Sequence, residues 1–208
     1  VILLAVPARP ARAEDAPVPA PSPEAEPEAT RPAPVPDLEA TVVVTDFGEF
    51  TVRLDVEAAR NAAALFLSLA QVDAFDGLAF HRVVPRLLIQ TGDPRTRDDD
   101  PANDGDGAPP WRLPPEPAAR THARGTVSLA WRDDDPASAG MQWFVTLSEV
   151  PALDGRATPF GEVVRGLDVV DRIAQVSTFR DGRPLRPVRI EDVRLAPPPA
   201  APPDTTLP

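Results

Sequence analysis

Between Phe80 and Pro94 the chain reads FHRVVPRLLIQTGDP, and this string constrains the fold more than any other in the sequence. His81 and Arg82 sit among apolar residues, and Leu87, Leu88 and Ile89 restore the apolar run before Gln90. No 3.6-residue period is present, so the spacing predicts two short buried strands joined at Pro85 and Arg86 rather than a helix. Strict alternation would mark a strand with one wet face. Polar groups set singly among hydrophobic ones instead mark a strand pair that lines a cleft, with Arg82 and Gln90 beside an apolar floor.

A chain of 208 residues that is 42% hydrophobic holds one compact core, but 29 prolines are too many for that core. Residues 14–37 carry proline at nearly every second or third position with acidic residues between, and 197–208 have the same character. Such segments lack the backbone donors that helices and sheets need, so both are expected to be extended spacers around a domain at 38–196. Residues 1–13 hold an apolar run from Val1 to Val6 and then Ala11-Arg12-Ala13 before Glu14, as at the end of a secretory signal peptide. Cleavage after Ala13 and an extracytoplasmic (periplasmic or secreted) location are expected. No later run approaches the roughly 18 apolar residues of a membrane span.

The formal charge of −11 excludes nucleic acid and anionic membrane surfaces as partners, because no positive field draws phosphates in. The basic residues are all Arg, which reads as coding bias. With no cysteine there is no disulfide framework, thiol nucleophile or Cys-ligated zinc. The two histidines, His81 and His122, are far apart in sequence, so a His-based metal pair is unsupported. The acidic cluster Asp98, Asp99, Asp100, Asp104 and Asp106 misses the calcium-loop template. No metal and no cofactor are expected. Ser128 lies in a strand motif and not in a nucleophile elbow, which argues against a Ser/His/Asp hydrolase.

Upstream of Phe80, Thr41 to Thr45 and Glu49 to Leu54 flank a turn at Asp46-Phe47-Gly48 and predict a hairpin. Val56 to Ala70 places Ala59, Ala63, Phe66 and Leu67 at helical spacing and predicts one amphipathic helix.

The FHRVVP string, with Gln90 and Gly92-Asp93-Pro94 behind it, resembles the signature of the cyclophilins, the peptidyl-prolyl cis/trans isomerases. The strand from Gly125 to Trp131, the segment Gly140 to Leu147, and Leu153-Asp154-Gly155-Arg156 with Phe160 to Val163 resemble further cyclophilin motifs, in the family's order. Gly166 to Ile173 looks like the family's second capping helix and Val188 to Val193 like its closing strand. The resemblance implies a mainly β fold, a closed eight-stranded antiparallel β-barrel capped by two α-helices. It also implies isomerisation of Xaa-Pro bonds in unfolded or flexible proline-containing polypeptides, by a monomer without cofactor.

Carried over residue by residue, Arg82 is the catalytic donor, and Gln90 orients it and touches the substrate backbone. Phe144, Leu88 and Leu153 form the pocket floor, with Leu87 where the family usually has phenylalanine. Gln142 and the backbone at Ala130 and Trp131 grip the residue before proline. His81 stands beside them among the substrate-binding positions, with a structural role as its default. The departures fall on the expected rim: Ala152 in place of tryptophan, Ala157 in place of histidine or tyrosine, and Trp143, Leu87 and Trp131. Weaker cyclosporin binding and reduced turnover are expected from them. Two other readings stay open, a cyclophilin-like peptide-binding or chaperone module with little turnover and a surface spacer built on the proline-rich ends.

Overall fold

A computed structural model describes residues 38–98, 100–107, 113, 116, 120–132 and 135–197. The expected signal remnant and linker, nearly all of the expected tail, and Asp99 lie outside the described residues. The elements run β1 (Leu38–Val44), β2 (Gly48–Leu54), α1 (Arg60–Ala70), β3 (Arg82–Val84), β4 (Leu88–Thr91), β5 (Thr126–Leu129), β6 (Trp143–Thr146), β7 (Thr158–Arg165), α2 (Leu167–Ile173) and β8 (Ile190–Ala196), with short 3-10 turns between some of them.

All eight strands join one antiparallel sheet in the order β3-β4-β6-β5-β7-β2-β1-β8. The sheet curls, but the expectation of a closed barrel needs correction. No ladder joins β3 to β8; one isolated antiparallel bridge, Ala79 with Arg189, spans the seam. β3 is three residues long, and the chain leading into it makes the remaining seam contacts, with Phe80 N–H donating to the Val188 carbonyl at 2.8 Å.

Each strand turns alternate residues inward. Ala40, Val42 and Val44 of β1 and Phe50, Val52 and Leu54 of β2 are all buried in the core. The turn between these strands places Asp46 at φ 67° and Gly48 at φ 101°. Helix α1 covers one end of the barrel through Ala62, Ala63, Phe66 and Ala70. The Phe66 ring meets Phe75, Trp143 and Phe160 with centroids 5.0, 5.7 and 5.3 Å away, within the range where aromatic pairs attract. Helix α2 buries Val169, Val170 and Ile173, and its Arg172 donates to the Phe47 carbonyl at the β1–β2 turn at 2.7 Å.

The first helix begins at Arg60, later than the expected Val56. Asp55 explains the delay: its side chain accepts the Ala58 N–H at 3.0 Å, and its carbonyl accepts the Ala59 N–H. A local turn of this kind competes with helix.

Candidate active site

The strand register decides what shares a face. Arg82 pairs with Gln90, Gln90 with Phe144, and Phe144 with Ser128, giving one row across four strands. The adjacent row, Val83, Ile89, Val145 and Val127, is wholly buried in the main core. Directly opposed residues project to one face and the next pair to the other. Arg82, Gln90 and Phe144 therefore stand together on the outer face of the barrel.

Beside that row lies a second apolar cluster, separate from the main core. Leu88, Phe144 and Ala157 form it, exposed by only 4%, 4% and 2%, and Leu87, Ala130 and Leu153 pack against them. These are the residues expected in the pocket, together with Ala157, so the fold brings the five apolar positions into one cluster. Leu87 follows Arg86, whose positive φ of 63° closes the β3–β4 turn. Leu153 ends a 3-10 turn at Pro151–Leu153, with exposed Ala152 on the rim.

The polar groups are more tightly tied than expected. Gln90 donates to the Gln142 side-chain oxygen at 2.9 Å, and its side chain makes no hydrogen bond to that of Arg82, its register partner. Gln142 in turn donates to the carbonyls of Gly105 and Gly107, both at 2.9 Å. Both N–H groups of Gln142 are thus engaged by the loop, which leaves it a scaffold role, whereas Gln90 keeps its own oxygen and one N–H for a substrate. The Arg82 side chain is exposed and forms no hydrogen bond or ion pair among the described residues. Its guanidinium is free to meet a ligand.

A buried carboxylate holds the same loop from below. Asp93 accepts the N–H groups of Arg95 at 2.9 Å, Gly107 at 3.0 Å, and Gly105. At Gly107 a Cβ would lie 1.9 Å from the Asp93 carboxylate, and at Gly92, with φ 89°, one would lie 2.1 Å from the Met141 carbonyl. Only glycine fits at these two points. The Gly-Asp-Pro part of the sequence signature thus builds the support under the loop.

Ala130 N–H is bonded to the Gln142 carbonyl at 2.9 Å, and Trp131 donates its ring N–H to Thr158 at 3.0 Å. Trp143 does not belong to the rim where the departures were expected to cluster. It is fully buried in the barrel interior, with the rings of Phe50, Phe66, Phe75 and Phe80 around it. The one-residue alternation accounts for this, since Trp143 and Phe144 must point to opposite faces. His81 is 8% exposed, and neither ring nitrogen makes a hydrogen bond. Burial lowers its pKa to about 4, with the nearby Asp93 carboxylate opposing and Arg82 adding to the shift. The ring is neutral at pH 7.

One constellation escaped sequence reasoning. His122 Nδ1 lies 2.9 Å from Asp154 Oδ1, its Nε2 lies 3.0 Å from Ser128 Oγ, and its ring stacks on Phe144 with centroids 5.9 Å apart. These are the contacts of a nucleophilic triad, yet Ser128 and His122 are completely buried. Sealed in this way, they brace the back of Phe144 and fix the turn carrying Leu153. The hydrogen bond lowers the Asp154 pKa.

Residues 40–195 match the family model described as cyclophilin type peptidyl-prolyl cis-trans isomerase/CLD. The chain belongs to the cyclophilins. A "Peptidyl-prolyl cis-trans isomerase-like 3" of Gibberella zeae is 36% identical over 157 residues, covering 73% of this chain and 92% of that protein. A crystal structure of a Cryptosporidium parvum cyclophilin type peptidyl-prolyl cis-trans isomerase superposes with a TM-score of 0.71 at 21% identity, over 78% of this chain and 99% of the other. The same parasite protein solved in the presence of the dipeptide Ala-Pro superposes at 0.68 with 22% identity, over 74% and 96%. At those identities the structures establish the shared cyclophilin fold alone.

Among the described residues no group of three or more His, Cys, Asp or Glu side chains is arranged to hold a metal. What this cyclophilin face offers is an apolar cluster, one unpaired guanidinium and a half-engaged amide, set side by side by the strand register.

Proposed function

We propose that the protein is a peptidyl-prolyl cis/trans isomerase acting on flexible proline-containing polypeptides. The observation that carries this reading is the placement of the unpartnered Arg82 guanidinium in one register row with Gln90 and Phe144, Phe144 itself belonging to the apolar cluster with Leu88 and Ala157. Rotation about an Xaa-Pro bond must break amide resonance, against a barrier of roughly 18–20 kcal/mol. No bond is made or cut. The site has only to hold the proline ring, fix one flank, and hydrogen-bond the proline nitrogen as it pyramidalises and loses conjugation.

Arg82 supplies a permanently charged planar donor for that nitrogen. The apolar cluster takes the ring, and the free oxygen and N–H of Gln90 take the substrate backbone. A C. parvum relative was solved in the presence of Ala-Pro, which accords with a proline-directed site on this fold.

The test is exchange of a short Xaa-Pro peptide followed by NMR, with the domain from Asp37 onward and its Arg82→Ala variant. Acceleration by the parent that is largely lost in a folded variant is the expected result. A peptide-holding module is the second reading, favoured by the small side chain at Ala157, which leaves the cluster with one fewer ring. Binding without acceleration would establish it.

Export is inferred from Val1 to Val6 and Ala11-Arg12-Ala13, which makes flexible extracytoplasmic proteins the clients of a monomeric folding assistant. No helix among the described residues is long and apolar enough to cross a membrane.

A further inference from the structure

The strand that carries Arg82, β3, is three residues long and lies at the edge of the sheet. β4 pairs with it on one side, and no strand does on the other. An edge strand turns alternate N–H groups away from the sheet, and one this short frays unless they find acceptors.

The chain between α2 and β8 fills the open side. Residues 177–185 form a hairpin: Phe179 N–H donates to the Arg183 carbonyl at 2.8 Å, Leu185 N–H to the Ser177 carbonyl at 2.8 Å, and Thr178 bridges Pro184. Its base is fixed to the barrel, with Val176 packed against the core and Val188 buried in it. At its tip the Gly182 carbonyl accepts the Val83 N–H at 2.7 Å. Two residues before Arg82, the Phe80 N–H donates to the Val188 carbonyl at 2.8 Å. Bonds to this one segment therefore bracket Arg82 in sequence.

The Arg82 side chain rests on the same tip. Gly182 has φ 90°, and a Cβ there would stand 3.2 Å from the Val83 carbonyl oxygen, 3.6 Å from Arg82 Cγ and 3.7 Å from Val84 Cγ2. Glycine lets the hairpin lie this close to β3. Because the guanidinium has no hydrogen bond or ion pair among the described residues, its direction is set by the β3 backbone and by what its stem lies on. Gly182 holds the first and supplies the second.

We propose that the 177–185 hairpin, through Gly182, is the positioning element of the catalytic arginine. The proposal rests on the isomerase reading, in which Arg82 donates to the proline nitrogen. That bond strengthens only as the nitrogen loses conjugation, so misplacing Arg82 lowers kcat and leaves KM nearly alone. The cluster of Leu88, Phe144 and Ala157, which takes the proline ring, is carried by other segments.

The test follows NMR exchange of a short Xaa-Pro peptide over a range of peptide concentrations, which separates kcat from KM. It uses the full chain, Gly182→Ala, Arg82→Ala and the double variant, with folding checked by amide spectra. Gly77→Ala is the control, since its φ is 75° and nothing lies within 4 Å of the added Cβ: it carries the backbone cost without the contact. Phe179→Ala removes the ring over which the Arg183 guanidinium sits at 4.3 Å, and loosens the hairpin without placing an atom against β3. Gly182→Ala is expected to lower kcat roughly five- to tenfold with KM within about twofold, because a small misplacement of a reacting group is costly. Phe179→Ala acts in the same direction by less, and Gly77→Ala leaves kcat unchanged. In the Arg82→Ala background the Gly182 change has no further effect, since a residue acting through another does not add to its loss. The Arg82 Nε–Hε resonance moves in Gly182→Ala and stays in Gly77→Ala. A kcat untouched by Gly182→Ala and Phe179→Ala, or a Gly182 effect as large without Arg82 as with it, overturns the proposal. If no peptide is accelerated, or if Arg82→Ala matches the parent, the isomerase reading of Arg82 falls, and the Nε–Hε resonance alone decides whether Gly182 places that side chain.

Discussion

Gln90 donates its side-chain amide to Gln142 at 2.9 Å, and this contact ties the strand pair under the substrate face to the loop above it. Gln142 passes the connection on to the Gly105 and Gly107 carbonyls, while Asp93 holds the same two residues by their N–H groups. Replacing Gln142 by Leu leaves both carbonyls without that donor and frees Gln90 to turn. An unsatisfied buried group costs about 1–3 kcal/mol, which corresponds to a loss in kcat/KM of roughly 10- to 100-fold if the loop must be ordered for binding. Amide exchange at Gly105 and Gly107 should quicken in parallel. Unchanged protection there would show that Asp93 alone orders the loop.

Stability should fall on acidification through the window that His81 defines. Burial lowers its pKa from 6.5 to about 4 in the folded chain. Between those values the unfolded chain binds a proton that the folded one does not, so stability drops as pH falls from about 6.5 to about 4 and levels off below. The full effect is on the order of 3 kcal/mol. Urea unfolding at a series of pH values should show this component in the parent and not in His81→Phe. Parallel profiles for the two proteins would contradict it.

The Ser128, His122 and Asp154 contacts predict a negative result as well as a positive one. Because Ser128 is completely buried, a serine-directed fluorophosphonate should leave it unlabelled in the native protein, by mass spectrometry. His122→Leu abandons the Asp154 carboxylate and the Ser128 hydroxyl and should cost about 2–4 kcal/mol of stability. Native-state labelling of Ser128 would show that this face opens.

The parts of the molecule legible in the sequence were those set by local period. The turn at Arg86 between β3 and β4 and the β1–β2 hairpin follow from short patterns, and the cyclophilin resemblance supplied the order of the elements and the assignment of the apolar site residues. Three features were not legible, each for a physical reason. Trp143 sits beside Phe144 in a motif, yet the pleat sends it to the opposite face, so it fills the core instead of the rim. The partners of Gln142 come from glycine carbonyls 35 and 37 residues away, which no spacing rule encodes. The open seam between β3 and β8 depends on strand lengths that a family likeness does not fix.

Cyclosporin should bind weakly, because exposed Ala152 offers no ring at the rim position where the resemblance expects tryptophan. Ala152→Trp adds an amphipathic ring at a surface site with little risk to folding. About tenfold tighter inhibition is expected, corresponding to ~1.4 kcal/mol. Tight inhibition of the parent, or no gain in the variant, would locate the determinant elsewhere.

The start of helix α1 depends on a residue far from it in sequence. Its N-cap position is Ala59, which has no side-chain acceptor, and its first turn has no acidic residue. The Glu116 carboxylate fills the gap, accepting the Asn61 N–H at 2.6 Å and the Ala62 N–H at 2.9 Å. A negative charge placed there satisfies two orphan donors and complements the positive end of the helix dipole. Glu116→Ala should therefore cost about 1 kcal/mol, the usual value of a lost cap. In a domain of this size that lowers Tm by about 2–4 °C. The local signature is sharper: amide exchange at Asn61 and Ala62 should quicken while that of Phe66 and Ala70, later in the helix, holds. A Tm loss without faster exchange at those two amides would mean that Glu116 acts through the loop it belongs to and not through the helix.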